Sequence, residues 1–166
     1  MNVRKYGFDP VFNRESQVLI LGSFPSVKSR ETDFYYGHKQ NRFWKMISGY
    51  FNEDIPQTVE EKRTFLLRRK IALWDIVQSC EIVNSDDSTI KNAELADLNK
   101  VFQSSNVRGI LLNGETAYKL FLKGYKWIKI PYFKMQSTSP RNRLYKEENW
   151  WKALDELFGM DRRTEK

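Results

Sequence analysis

The segment Gln17-Val-Leu-Ile-Leu-Gly22 is an apolar run that ends at a glycine, and the turn residues Ser23-Phe-Pro-Ser26 follow it directly. A short apolar run bounded by turn residues is typical of a strand buried on both faces of a sheet. Three further runs, at residues 70–77, 107–113 and 128–135, have the same form. We therefore predict four strands, of which the first three are covered on both faces.

Helical patterns lie between these predicted strands. A helix that starts near Asn41 is predicted by apolar residues at the spacing of one helix face, namely Phe43, Met46, Ile47, Tyr50 and Phe51. Thr58 and Glu61 have the spacing of a capping box, which predicts a second helix ending near Arg69. Apolar spacing predicts three more helices, around residues 95–102, 117–124 and 150–158.

Strands that alternate with helices are typical of an α/β domain. We predict a three-layer α/β/α sandwich around a mostly parallel four-stranded sheet. In such sheets, ligands bind at the carboxyl ends of the strands, so the turn after Gly22 is expected to border a binding site. The length predicts one domain over residues 1–160, and residues 161–166 form a predicted charged C-terminal tail.

The charge of the chain points to a polyanionic partner. It has 28 Lys and Arg against 21 Asp and Glu among 166 residues, a net charge of +7. This excess favours nucleic acid over a membrane, although charge alone also fits non-specific binding. Cys80 is the only cysteine, which excludes an intrachain disulfide and a thiolate metal cluster and indicates a reducing compartment. Without an apolar stretch of signal-peptide length at the start, we expect a cytoplasmic protein.

Two polar connections, at residues 23–40 and 79–92, are longer than a simple link between a strand and a helix. The first is rich in aromatic rings, which are expected to be ordered. The second contains Ser85-Asp-Asp-Ser88, which suits either a metal site or a solvated turn. We favour the solvated turn and predict no metal site.

Two loops carry residues suited to binding phosphate. At Gly22 a ligand can approach the backbone closely, and the Ser23 and Ser26 hydroxyls can donate to phosphate oxygens, although a plain tight turn would look the same. Ser137-Thr-Ser-Pro-Arg-Asn-Arg143 follows the last predicted strand and combines three hydroxyls with two arginines. Both loops follow strands of one sheet, so we expect them on the same rim.

Three motifs, taken in order, resemble the uracil-DNA glycosylase superfamily. They are Leu21-Gly-Ser-Phe-Pro-Ser26, Tyr36-Gly-His-Lys-Gln-Asn-Arg-Phe-Trp44 and Ser137-Thr-Ser-Pro-Arg-Asn142. The resemblance is strongest to the hypoxanthine-DNA (deoxyinosine) glycosylase branch and extends to the mismatch-specific uracil glycosylases. It implies a monofunctional DNA glycosylase of base excision repair that needs no metal or cofactor. Its substrate would be double-stranded DNA with a damaged or mismatched base, with hypoxanthine first and uracil or xanthine next.

The resemblance also implies roles for individual residues around a flipped base. Backbone N–H groups near Gly22, Ser23 and Phe24 would meet the carbonyl edge of the base, and Tyr36 would stack on its ring. Asp75, at the end of the second predicted strand, would read the base edge or else cap a turn. His38, the only histidine, would shape the pocket or make an ordinary structural hydrogen bond.

Phe24 departs from the pattern of the superfamily, because many members place an Asn or Asp there to hold the attacking water. We therefore expect Asn41 to hold the water, since its amide both donates and accepts. The alternative role for Asn41 is an N-cap of the first predicted helix, for which Asn is well suited.

The remaining predicted contacts are to DNA, with a solvated rim as the alternative. The residues are Ser26, Lys28, Arg42, Ser137, Thr138, Ser139, Pro140, Arg141, Asn142 and Arg143. We expect a monomer. Two other functions stay open: a catalytically silent module that binds lesions, and a nucleoside hydrolase, which would need acidic residues or a metal to hold the ribose.

Overall fold

The computed structural model describes residues 3–159, so the predicted tail at residues 161–166 lies outside it. The strands are β1 Lys5–Tyr6, β2 Val18–Gly22, β3 Ile71–Asp75, β4 Val77–Val83, β5 Asp86–Leu95, β6 Gly109–Asn113 and β7 Tyr132–Met135. The helices are α1 Val27–Thr32, α2 Phe43–Tyr50, α3 Val59–Arg68, α4 Asn99–Phe102, α5 Glu115–Gly124 and α6 Glu147–Phe158.

A four-stranded parallel sheet forms the centre of the protein, in the order β3-β2-β6-β7. Every residue of β2, β3 and β6 is buried, as their apolar runs predict. Helix α3 packs on β3, α5 packs on β6 and β7, and α6 packs on β7. The predicted α/β class with a mostly parallel four-stranded sheet is confirmed.

Parallel pairing brings the strand ends together. Gly22 at the end of β2 lies beside Asp75 at the end of β3, and Asn113 at the end of β6 lies beside Met135 at the end of β7. The carboxyl edge of the sheet therefore carries a glycine, a carboxylate and an amide on three neighbouring strands.

A second, antiparallel sheet in the order β1-β4-β5 was not predicted. The predicted strand at residues 70–77 breaks at Ile76, since β3 ends at Asp75 and β4 starts at Val77. The expected polar connection at residues 79–92 is a hairpin, whose turn contains Asn84 in the left-handed region at φ 54°. Its second strand is mostly exposed and carries no apolar run, which is why its sequence looks like a loop.

The helix predictions hold with changed boundaries. Thr58 caps α3 by accepting a hydrogen bond from the Glu61 N–H at 3.0 Å, as its capping-box spacing predicts. The helix predicted around residues 95–102 is shorter, because Leu95 belongs to β5 and α4 begins at Asn99. Helix α1 lies inside the first long connection and was missed, because its six residues, Val-Lys-Ser-Arg-Glu-Thr, are too few to show a periodic apolar face.

No helix within the described part of the chain combines the length and the apolar character that a bilayer crossing needs.

Candidate active site

A cleft of about 220 Å³ opens at the carboxyl edge of the parallel sheet. The ends of β2, β3 and β6 contribute Gly22, Asp75 and Asn113 to its wall. The loop after β7, the aromatic segment before α2 and the β4–β5 turn complete it. The site therefore lies where open parallel sheets bind their ligands.

Most of the predicted site residues meet in this cleft. Those that line it are Gly22, Ser23, Phe24, Ser26, Tyr36, His38, Asn41, Asp75, Ser137, Thr138, Ser139, Pro140 and Arg141. The predicted residues outside its lining are Lys28, Arg42, Asn142 and Arg143. The lining residues that sequence reasoning did not assign to a site are Pro25, Ser29, Tyr35, Ser85, Asp87 and Asn113.

Gly22 is required by the close packing of two side chains. A Cβ at this position would lie 2.5 Å from Asp75 Oδ1 and 2.9 Å from Tyr36 Oη. Both contacts are well inside van der Waals distance, so any side chain here would push the carboxylate and the phenol apart. Only glycine lets Asp75 and Tyr36 reach the strand end together.

The Tyr36 ring is held by two contacts. It stacks on Phe43 with ring centroids 4.4 Å apart, and its hydroxyl accepts a hydrogen bond of 3.1 Å from Asn113 Nδ2. Its backbone is in the left-handed region at φ 53°, which is unusual for a bulky residue and common at functional sites. Burial, followed by the nearby Asp75 carboxyl, raises the pKa of Tyr36 well above its ordinary value, so the phenol stays neutral.

Asn113 joins the aromatic segment to the loop after β7. Besides Tyr36, its Nδ2 donates to Thr138 Oγ1 at 3.1 Å, and its Oδ1 accepts from the Thr138 N–H at 3.0 Å. As the last residue of β6 before Gly114, Asn113 also has the position of a turn or helix-cap residue, but α5 has no side-chain cap. The sequence feature that could have predicted this role is a single amide residue at the end of a fully apolar, buried strand.

Asn41 lies one residue before Arg42, the N-cap of α2, and it both contacts the start of this helix and lines the cleft. Its Oδ1 accepts a hydrogen bond of 2.9 Å from the Phe43 N–H at the start of α2. Its Nδ2 has no hydrogen-bond partner among residues 3–159. Because a carbonyl oxygen has two lone pairs, the capping contact leaves acceptor capacity as well as a free donor. The N-cap of α2 is Arg42 and not Asn41, so the predicted capping role is wrong in its position, and the contact that Asn41 does make is compatible with holding a water.

His38 lies exposed at the edge of the cleft. Its Nδ1 accepts a hydrogen bond of 3.1 Å from the Gln40 N–H, and its carbonyl accepts one of 3.0 Å from the Asn41 N–H. These contacts match the structural hydrogen bond that we gave as one of its two roles, and they position Asn41.

The loop after β2 leaves backbone donors free. Within the described part of the chain, the N–H groups of Ser23 and Phe24 donate to no acceptor. The Phe24 ring is buried, with the Arg30 guanidinium 5.6 Å from its centroid. Ser26 instead caps α1, because its Oγ accepts from the Ser29 N–H at 3.1 Å. That contact gives Ser26 a structural role, and its phosphate contact stays a prediction.

The β4–β5 turn reaches into the site, which the sequence did not predict. The Ser23 hydroxyl donates to Asp87 Oδ2 at 2.6 Å, and the Val27 N–H donates to Ser85 Oγ at 2.8 Å. The prediction of a solvated turn holds for Asp86 and Ser88, which are exposed, but it is wrong for Asp87. Among residues 3–159, no cluster of His, Cys, Asp or Glu side chains is suited to hold a metal.

Asp75 is the most unusual titratable group of the cleft. Its side chain is 4% exposed, and its Oδ2 is buried without a hydrogen-bond partner in the described chain. Burial, followed by the charge of Asp87, raises the pKa of Asp75 to about 7. The turn-capping role that we left open for Asp75 therefore has no hydrogen bond to support it.

The loop after β7 is bonded mainly to itself and to its scaffold. Ser137 Oγ accepts from the Ser139 N–H at 3.1 Å, and Asn142 Nδ2 donates to the Ser137 carbonyl at 3.0 Å. Thr138 is fully buried against Asn113, which leaves no surface for the DNA contact predicted for it.

Arg42 is also part of this scaffold. Its Nη1 donates to the Asn142 carbonyl at 2.8 Å, and its guanidinium lies 4.8 Å from the centroid of the Tyr145 ring. Lys28 lies outside the cleft lining and pairs with Glu31 at 3.5 Å. Both side chains therefore have partners within the protein, and their phosphate contacts stay predictions.

Arg141 and Arg143 are exposed and form no ion pair with another described residue. Arg141 lines the cleft, whereas Arg143 lies beyond its lining. Of the four cations predicted at the mouth, these two remain free to meet a polyanion.

Comparison with known proteins decides the family. The sequence model described as "Uracil DNA glycosylase superfamily" matches residues 10–158, which is nearly the whole chain. The chain belongs to the uracil DNA glycosylase superfamily. It is a DNA glycosylase, a hydrolase of N-glycosyl bonds, and the predicted resemblance is confirmed.

Two curated relatives and one solved structure agree with this membership. The chain is 32% identical over 115 residues to a protein of Methanosarcina barkeri named Hypoxanthine DNA glycosylase, covering 68% of the chain and 73% of the relative. It is 31% identical over 158 residues to a protein of the same name from Methanosarcina acetivorans, covering 90% and 97%. A solution NMR structure from Methanosarcina acetivorans, described provisionally as a uracil DNA glycosylase, matches with a TM-score of 0.79 at 29% identity, covering 94% of this chain and 99% of that one.

In this uracil DNA glycosylase superfamily member, all three motifs contribute residues to the lining of the cleft. The first and third motifs supply residues of the loops after β2 and β7, and the second supplies Tyr36, His38 and Asn41. Asp87 and Asn113 lie outside the three motifs, so only the structure brings them to the site. Membership implies a DNA substrate, which argues against the nucleoside hydrolase alternative.

Proposed function

We propose that the enzyme hydrolyses the N-glycosidic bond of a flipped, deaminated base in double-stranded DNA during base excision repair. Hypoxanthine is the proposed preferred base, with uracil and xanthine as further substrates. The observation that carries the proposal is the single cleft that holds the free N–H groups of Ser23 and Phe24, the Tyr36 ring and the Asn41 amide. The names of both Methanosarcina relatives support hypoxanthine.

The charges that develop during the reaction match the groups of the cleft. Breaking the bond leaves positive charge on the sugar and negative charge on the departing base. The Ser23 and Phe24 N–H groups are free to donate to a base carbonyl, and backbone donors of this kind need no reorganisation when charge develops. Tyr36 borders the base as a neutral ring, and Asp75 reads its edge. His38 shapes the mouth of the pocket.

Asn41 holds the attacking water in this proposal. Its Oδ1 is oriented by the Phe43 N–H, so the free Nδ2 has a defined direction. A fixed amide both donates to and accepts from water, which orients a lone pair towards the sugar. The reaction needs no metal or cofactor, because water attacks a sugar carbon that is already cationic.

The opened duplex is held by the loop after β7. Arg141 and Arg143 contact phosphates, while Ser139 and Pro140 present the tip of the loop at the cleft. Base flipping costs a few kcal/mol and is easiest at mispaired bases, so part of the selectivity comes from the lesion itself. We further propose that the enzyme acts as a monomer in the cytoplasm.

A lesion panel tests the function. Duplexes with one deoxyinosine, deoxyuridine, deoxyxanthosine or mismatched thymine are incubated with the enzyme and then treated with alkali, which breaks the strand at an abasic site. We expect cleavage at deoxyinosine to be fastest. The absence of strand breaks at every lesion would contradict the enzymatic proposal, and activity unchanged by EDTA is expected if no metal takes part.

Asn41 variants separate its two roles. We expect Asn41→Ala to lower the single-turnover rate by about 10²–10³-fold, the usual effect of removing an oriented polar group from an active site. Asn41→Ser keeps a capping oxygen but lacks the amide, so it should restore stability and not the rate. Thr58→Ala, which removes the cap of α3 away from the cleft, is the matched control and should lower stability by about 1 kcal/mol without changing the rate. Full activity of Asn41→Ser would show that Asn41 is only a cap.

A catalytically silent lesion-binding module is the second candidate, and Phe24 is the observation that favours it. A phenyl ring occupies the position at which many superfamily members hold the water, and it cannot do so. This alternative predicts tight, salt-sensitive binding to a deoxyinosine duplex without any abasic product, so the same panel separates the two.

A further inference from the structure

We propose that Asp75 is the proton donor to the departing base, and that Asp87 is the positioning residue that keeps this carboxyl protonated. The inference rests on the proposed function and adds a catalytic acid to it. It assigns a role to the β4–β5 hairpin, which carries none of the three motifs.

The geometry of Asp75 is unlike that of a structural carboxylate. Buried carboxylates in proteins are normally satisfied by several donors. Asp75 is 4% exposed, yet its Oδ2 meets no donor in the described chain, and its Oδ1 packs over the bare backbone of Gly22. The same side chain lines a cleft large enough for a ligand. A buried polar atom without a partner, in the wall of a ligand site, is placed to meet a group of the ligand.

The surroundings of Asp75 favour its neutral form. No described cation pairs with it. The groups that face the cleft from the other elements are the neutral phenols of Tyr35 and Tyr36, His38 and Arg141 at the mouth, and Asp87 from β5. Burial and the Asp87 charge both make ionisation of Asp75 unfavourable, and they raise its pKa to about 7.

The two carboxyl groups are not equivalent. Burial, the largest effect, raises the pKa of Asp87, but Asp87 accepts a hydrogen bond of 2.6 Å from the Ser23 hydroxyl, and this bond and the charge of Arg141 act in the opposite direction. Both of these contacts stabilise the ionised form of Asp87, and Asp75 has neither. When two acids with different environments lie in one site, the proton resides on the less stabilised carboxylate. Asp75 therefore holds the proton while Asp87 carries the charge.

The proton balances the chemistry of bond cleavage. As the bond between C1′ and the base nitrogen breaks, its electron pair passes to the base, and the Asp75 proton moves to a ring nitrogen or carbonyl oxygen of that base. The base leaves neutral, and Asp75 is left as a carboxylate. Water adds to C1′ and releases a proton to solvent, from which Asp75 is protonated again. A general acid of this kind contributes about 10²–10⁴-fold to a rate when its pKa is near the working pH.

A donating Asp75 and an accepting Asp75 differ in the sign of their pH dependence. If Asp75 only accepted a hydrogen bond from a base N–H, the ionised form would be the active one, and the rate would rise through its pKa. If Asp75 donates a proton, the rate falls as pH rises through about 7, the pKa of Asp75.

The test is the single-turnover rate on a deoxyinosine duplex between about pH 5 and pH 9, a range that spans the titration of a carboxyl group with a raised pKa. We expect the wild-type rate to fall above neutral pH, by about tenfold per pH unit. Asp75→Asn should be at least about 10²-fold slower at pH 6 and should lose the alkaline fall. Asp87→Asn still accepts from Ser23 but lacks the charge, so its fall should begin at lower pH. Asp86→Asn, which removes a charge from the exposed side of the same turn, should match the wild type.

Each result has a defined consequence. An Asp75→Asn variant with the wild-type rate and profile overturns this inference alone. A wild-type rate that rises through neutral pH, with the rise absent in Asp75→Asn, shows an accepting role and also overturns it. An Asp87→Asn profile identical to that of the wild type overturns the positioning role. If the wild type releases no base at any pH, the proposed function fails and the inference fails with it.

Discussion

The loop after β2, residues 23–26, and the loop after β7, residues 136–143, both reach the cleft, but they use their polar groups differently. The first loop leaves the Ser23 and Phe24 N–H groups free beside the unpartnered carboxyl of Asp75. The second loop satisfies its own groups through Asn142 and Arg42. Because unsatisfied buried groups are costly without a ligand, the first loop is built for binding and the second for holding a fixed shape.

The largest effect is expected from Gly22→Ala, at the end of β2 directly before the first loop. The added methyl would lie 2.5 Å from Asp75 Oδ1 and 2.9 Å from Tyr36 Oη, so one or both must move. We expect a loss of up to about 3 kcal/mol in the free energy of unfolding, with most of the activity lost as well. Thermal unfolding and the deoxyinosine assay check this.

Gly49→Ala is the matched control. In α2 its methyl would meet only the Trp151 ring, at 3.2 Å, and alanine favours a helix. We expect a change of less than about 1 kcal/mol and an unchanged rate. If Gly22→Ala behaved like this control, the first loop would not be tightly packed around its ligand site.

The unpartnered carboxyl of Asp75, beside the first loop, should make the fold less stable as the pH rises from acid to neutral. The pKa of Asp75 is raised from 3.8 to about 7 in the folded protein, so the native state binds this proton more tightly than the unfolded chain does. Stability is therefore lost as pH rises from about 4 to about 7 and then stays lower. We expect Asp75→Asn to be more stable than the wild type at pH 8, by on the order of 2 kcal/mol, and to lose this advantage near pH 4. Denaturant unfolding at the two pH values checks it, and an advantage that is equal at both would contradict the buried, raised pKa.

Asn113 connects Tyr36 to the second loop, so Asn113→Ala tests whether these two parts of the cleft depend on each other. The variant removes the hydrogen bonds to Tyr36 and Thr138 and leaves their groups unpaired. We expect a loss of about 1–2 kcal/mol, together with lower activity, because both Tyr36 and the second loop lose a support. Asn142→Ala removes a support from the second loop alone, so it should lower stability with a smaller effect on the chemical step. Equal losses of rate in both variants would mean that the second loop contributes to the chemical step as much as Tyr36 and the second loop do together.

The smallest effect on the fold is expected from Arg141→Gln, which tests the exposed tip of the second loop. Its side chain makes no ion pair within residues 3–159, so stability should not change. The slope of log K for DNA binding against log salt concentration is negative, and its magnitude should decrease by about 0.9 for each phosphate contact that is lost. Arg42→Gln is the control, since its guanidinium already binds the Asn142 carbonyl and should leave the slope unaltered. A change of slope in Arg42→Gln and not in Arg141→Gln would reverse the assignment.

The local features of the fold were predictable because they depend on residues close in sequence. The apolar runs of β2, β3 and β6 and the Thr58 cap of α3 follow from periodicity and spacing alone. The β4–β5 hairpin was not predictable in this way. Its second strand is polar and mostly exposed, so its pairing depends on where β4 lies and not on its own pattern.

The sequence predicted which residues lie at the candidate site better than it predicted what each of them does there. The motifs brought Tyr36, Asn41 and the two loops to one rim, as they do in the cleft. They did not reveal that Thr138 is buried or that Arg42 is occupied by the second loop. Whether a polar side chain faces a ligand or its own scaffold depends on contacts that the chain forms only when folded.

The buried strands and the superfamily could be inferred from the sequence, because apolar runs and motifs consist of residues that are close along the chain. Which polar groups remain free depends on contacts between distant residues, so it could be seen only in the folded protein. The Ser23–Asp87 contact joins residues 64 positions apart, and the Asn113–Tyr36 contact joins residues 77 apart. The raised pKa of Asp75 follows from burial and from a carboxylate on another strand, and both exist only once the sheet edge and the hairpin have come together.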